Sequence, residues 1–194
     1  CGEDRFAYLE VRKLPRVRLI PIGLTQHWIV SDPRFHRYVR PVHNTINQRF
    51  VNRGFRFEIR SFGPEHEHLA AEELTARAIF TLAESGQMSD VLGEIDYDKL
   101  ISHGMASVEP RFIQDALIFG ITGGAYAPKV EDQSACEGKV EQYRRIIPGG
   151  DDYEVIAINP NVSPWFWAEW IDFFCAIIRR DQAWIAIYAA SDTD

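Results

Sequence analysis

The stretch from Tyr153 to Ala190 limits the folds open to this chain more than any other feature, because it joins a short apolar run to the most apolar part of the chain, Trp165 to Ala190. Tyr153 to Ile158 is a short apolar run between turn residues, the pattern of a strand buried on both faces. Ser163-Pro164 then supplies an N-cap followed by proline at a first helical position. Trp165 to Arg180 reads as a helix with a narrow exposed stripe through Glu169, Asp172, Ala176 and Arg179, and Trp184 to Ala189 as a second apolar strand. Strand, helix and strand over about residues 153–190 predict a parallel βαβ unit with a right-handed crossover. Glu169, Asp172, Arg179, Arg180 and Asp181 are too many charges for a bilayer core, so no membrane span is expected there.

Upstream, alternation predicts strands at Ala7 to Val11 and Arg16 to Leu24. Asp32 and Pro33 open a helix that runs towards Val51, with Pro41 expected to kink or divide it. Phe55 to Arg60 alternates aromatic or aliphatic residues with charged ones, as a half-exposed strand does. Helices are expected over Glu65 to Glu84, Ser89 to His103, Pro110 to Phe119 and Glu137 to Ile147. The apolar fraction of 46% excludes disorder, and three cysteines are too few for a disulfide scaffold. These elements make a single α/β or α+β domain over residues 1–194. Its mixed sheet of about five strands is flanked by helices and ends in the parallel βαβ unit.

Charge is unevenly spread. Residues 1–60 hold 12 basic and 5 acidic side chains, whereas residues 61–194 hold 9 basic and 23 acidic ones. An acidic surface of that density suits a basic protein partner. Its candidate contacts are Glu72, Glu73, Asp90, Glu94, Asp96, Asp98, Asp151 and Asp152, with Trp167 as an aromatic anchor from the crowded Trp165, Phe166, Trp167 and Trp170 group. Over residues 34–60 seven arginines meet a single acid, with Phe35, Tyr38, Phe50 and Phe55 among them. Arginine interleaved with aromatics is the chemistry of single-stranded nucleic acid binding, so Arg37, Arg40, Arg49 and Arg53 are candidate phosphate contacts. Arg37 and His43 also have the loose spacing of arginine–histidine ribonuclease motifs, a pattern too short to select a function.

A parallel unit would place a ligand cleft beyond its strand ends, at Asn159, Asn161, Ser163 and Asp192. Other motifs fail on spacing. Gly120-Ile121-Thr122-Gly123-Gly124 lacks the lysine of a phosphate loop, and neither GxGxxG nor GxSxG occurs. His66 and His68 stand two apart, so they diverge on a helix, and His68 with Glu72 is too small a set for a metal. No cofactor and no metal are predicted. Cys1, Cys136 and Cys175 include no CxxC pair, and reduced thiols of a cytoplasmic protein account for them. The leading expectation is a non-catalytic intracellular binding protein, of the inhibitor or immunity-protein kind, that docks a basic partner. The alternative is an enzyme acting on a phosphorylated or nucleic-acid substrate through residues 34–60 and the polar strand ends.

Overall fold

Burial along the chain overturns the central expectation. The computed structural model describes residues 33–50, 53–122, 132–146, 152–166 and 172–192, so the strands expected before residue 33 lie outside it. Phe173–Arg179 is a strand, β4, buried at six of its seven positions, where a crossover helix was expected. A strand covered on both faces carries apolar side chains on both, and so loses the alternation that marks a strand in sequence. With the period gone, the spacing of Asp172, Ala176 and Arg179 imitates a helical stripe. Ser163 caps a turn instead of a helix: its Oγ accepts from the Trp165 N–H at 3.2 Å and donates to the Val91 carbonyl at 2.5 Å.

A tight 3-10 turn at Arg180–Gln182, closed by Ala183 at φ 53°, returns the chain into β5 (Trp184–Ser191), all eight residues of which are buried. So short a link can join only antiparallel neighbours. Among the described residues the whole sheet is antiparallel, in the order β1 (Gly54–Ser61), β5, β4, β3 (Glu154–Ile158), β2 (Met105–Val108). The parallel βαβ unit is therefore absent. β3 and β5 do run the same way, but β4 lies between them in the opposite sense.

Each face of the sheet has its own helical layer. On one face Ile156, Phe174, Ile178, Ile185 and Ile187 pack with α2 (Ala71–Glu84), α3 (Ser89–Leu92) and α4 (Tyr97–His103). On the other, Val155, Ile177, Trp184, Ala186 and Tyr188 pack with α1 (Arg40–Arg49), α5 (Arg111–Thr122) and α6 (Gln133–Ile146). Trp165 and Phe166 belong to the first core, and Trp167 lies outside the described residues. No helix among the described residues is long and apolar enough to cross a membrane.

Local chemistry explains several boundaries. Pro41 does not divide its helix. The turn before it widens into a π-helix, Phe35–Val39, in which the Arg40 N–H reaches the Phe35 carbonyl. A wider turn accommodates a proline ring that would otherwise crowd the preceding turn. The segment expected to be helical from Glu65 starts instead as a 3-10 turn, Pro64–His66, and α2 begins only at Ala71. His68 and Glu72 therefore do not share a helix face.

Candidate functional site

The two helical layers differ in charge, which the linear count could not show. Residues 62–104, which build the α2–α4 layer, hold nine acidic and two basic side chains. The opposite helices, residues 33–49, 111–122 and 133–146, hold eight basic and three acidic ones. Among the described residues the sheet thus stands between an acidic and a basic helical layer.

Six of the predicted docking residues fall together in the acidic layer: Glu72, Glu73, Asp90, Glu94, Asp96 and Asp98. Three of these already have structural work. Glu73 takes the Arg77 guanidinium one turn later, with Nη2 to Oε1 at 2.6 Å. Asp90 holds the Arg56 Nε at 2.7 Å, and that guanidinium lies 5.9 Å from the Trp165 ring centre. Asp96 is the N-cap of α4, its Oδ1 accepting from the Lys99 N–H at 3.0 Å. Glu72 sits in the first turn of α2 and Asp98 in that of α4, where the helix dipole favours a carboxylate. Glu94 is exposed in the turn between α3 and α4. Glu84, absent from the sequence-based set, closes α2. With burial as the larger cause, it helps push the nearby Tyr97 phenol up to about 12. Asp152 is exposed two residues before β3, and Asp151 lies outside the described residues.

The expected strand-end cleft is corrected in its making and kept in part of its place. β3 and β5 do end on the same side of the sheet, but the start of β4 separates Asn159 from Asp192. Asn159 Oδ1 accepts from the Asn161 N–H at 3.0 Å, and Lys99 Nζ donates to the Asn161 carbonyl at 3.0 Å. Ser163 is buried and bonded as above, and Asp192 is buried with contacts of its own. Asn159, Asn161 and Ser163 thus secure turns.

The arginine segment also divides. Arg37 and Arg40 are exposed, whereas Arg49 and Arg53 are half-buried and already engaged. Phe50 and Phe55 are core residues and Phe35 packs against that core, so the stacking platform expected for single strands is used up inside the fold. Arg37 and His43 do not converge, since His43 is buried while Arg37 lies over the Tyr38 ring at 5.1 Å.

His43 instead joins a polar network that the sequence did not reveal. Its Nε2 lies 2.9 Å from the Tyr143 hydroxyl, which in turn bonds the Tyr188 hydroxyl. Phe55 and Phe57 pack on the imidazole at 4.6 and 4.7 Å between ring centres. Burial holds the His43 pKa down to about 3 and pushes both phenols well up. Cys175, the cross-strand partner of Tyr188, is pushed up by burial as well, and so stays a thiol. This chain of hydroxyls fastens α1 and α6 to the sheet. Sequence distance hid it, for its members lie 100 and 45 positions apart. Cys136 is buried in the same core, four residues after Asp132, whose side chain accepts from the Ala135 N–H at 2.9 Å to cap α6.

Among the described residues no three His, Cys, Asp or Glu side chains are grouped to hold a metal. A groove of about 580 Å³ runs beside α5, lined by Arg111, Gln114, Asp115, Phe119 and Glu137, with charges of both signs. No family model matches the chain, and no curated protein matches its sequence.

Proposed function

We propose that the protein is a non-catalytic binding protein, of the inhibitor or immunity-protein kind, whose α2–α4 layer docks a basic protein surface. The observation that carries this reading is the nine-to-two excess of acids in residues 62–104, which build one helical layer of the sheet, offset only in part by Arg56 and Arg180 reaching Asp90 and the Glu67 carbonyl. Glu72, Glu94 and Asp98 are the contacts of choice, because they carry charge without neutralising an arginine or capping a helix. Asp96 is not, since its cap would be lost with its charge. The nucleophile and base types with shifted pKa values, His43 and Cys175, are spent in the core, which supports binding over chemistry.

The test is affinity capture at low ionic strength by the wild-type chain and by a Glu72→Lys, Glu94→Lys, Asp98→Lys variant, followed by association kinetics with the protein retained. A basic partner held by the first and lost by the second is expected, with an on-rate that falls roughly tenfold or more on reversal and falls again with salt. An on-rate indifferent to both would leave the acidic layer as a solvated surface only.

A further inference from the structure

The solvent face of the helix over residues 33–49 has an unusual inventory. Apart from Pro33 and Pro41, every exposed position is an arginine, a histidine or a side-chain amide, and no acid occurs in the segment. Arg40, Asn44 and Gln48 stand four apart, so they line one side of α1 over about 12 Å, and exposed Arg37 precedes them by one turn. The neighbouring helices differ. Arg111 on α5 has Asp115 at 3.4 Å, and Arg144 and Arg145 on α6 share Glu141 at 3.2 and 3.0 Å. Those three arginines are paired with acids of their own helices, whereas the segment 33–49 has no acid of its own to offer Arg37 and Arg40.

We propose that this ridge binds double-helical DNA, with Arg37 and Arg40 on phosphates and Asn44 and Gln48 turned into the major groove. An α-helix fits that groove, and side-chain amides pair there with adenine edges. Phosphate contacts orient the helix, and the amides of its C-terminal half read bases. A duplex suits the surface better than a single strand, because the aromatics needed for base stacking are in the core and the Tyr38 ring is covered by Arg37. The acidic layer lies across the sheet and turns the molecule so that the ridge leads towards a polyanion.

Fluorescence anisotropy with a labelled duplex of about 20 base pairs, and with one of its strands alone, tests this between about 50 and 200 mM NaCl. The expected result is duplex binding that weakens at least tenfold across that range. An Arg37→Glu, Arg40→Glu variant should lose at least tenfold at the lower salt and flatten the log–log salt slope by about two. Asn44→Ala with Gln48→Ala should weaken binding several-fold at an unchanged slope, since neutral groups release no counterions. All four positions are exposed, and circular dichroism of each variant checks folding. No binding at low salt, tighter binding of the single strand, or indifference to the arginine reversal overturns the proposal. Sedimentation of the protein alone covers the remaining occupant: an oligomer that dissolves on arginine reversal, without any DNA binding, assigns the ridge to a second copy of the chain and overturns it equally.

Discussion

His43 is buried where only the neutral imidazole is tolerated. Phe55, Phe57 and the Tyr143 and Tyr188 rings surround it, and its one described hydrogen bond goes to a phenol. The pKa of about 3 has burial as its cause, against an ordinary value of 6.5. The unfolded chain therefore binds a proton as the pH falls below 6.5, and the folded one does not until about 3. The contribution of His43 to stability is whole above pH 6.5 and declines by about 1.4 kcal/mol per pH unit towards pH 3. His43→Phe should cost about 1–2 kcal/mol at pH 8 through the lost hydrogen bond and altered packing. Between pH 6 and 4 its unfolding free energy in urea should then fall less steeply than that of the wild type. Equal slopes in the two proteins would show that another group titrates in this window.

Helix α5 shows how an element can be found and its logic missed. Gly120 looks like a helix stop, but α5 continues to Thr122 and Gly120 lies inside it. A Cβ at this position would come within 3.2 Å of Ile46 Cδ1 and Cγ1, so glycine lets α5 cross close to α1. Gly120→Leu should therefore cost about 1–3 kcal/mol by overpacking, read as a lower urea midpoint, and Ile46→Ala in the same chain should recover part of it. A midpoint unchanged by Gly120→Leu would mean that the crossing is loose. The same contrast runs through the fold. β1 was legible because its side chains alternate between apolar and charged, even though its burial does not alternate and Arg60 is buried, and β5 because it is a short apolar run bounded by turns. β4 was not, because burial on both faces removes the period, and β2 is only four residues long. The acidic character of the candidate surface was visible in composition. Which of its carboxylates were spent was not, since Asp90 and Arg56 are brought together across 34 positions by β1 and α3.

At the scale of the molecule, the sheet separates charges that the chain order already separates in part. The layer with nine acids and two bases must repel itself, and some of those acids repay that cost locally while others do not. Asp96 repays it by satisfying a free N–H at the start of α4, Glu73 and Asp90 by holding arginines, but Glu94 sits in a turn with no described cation beside it. These two kinds of acid can be told apart by thermal melting at low salt. Asp96→Ala should lower stability by about 1 kcal/mol as the cap is lost. Glu94→Lys should leave stability within about 0.5 kcal/mol of the wild type or raise it, because it removes a repelling charge and breaks no bond. Added salt should raise the wild-type melting temperature and narrow its gap to Glu94→Lys, while leaving the Asp96→Ala deficit nearly intact. A Glu94→Lys variant that melts well below the wild type would place that carboxylate among the structural acids and take it out of the docking surface. If it melts with or above the wild type, Glu94 has no structural work, and its charge stays available to the docking surface.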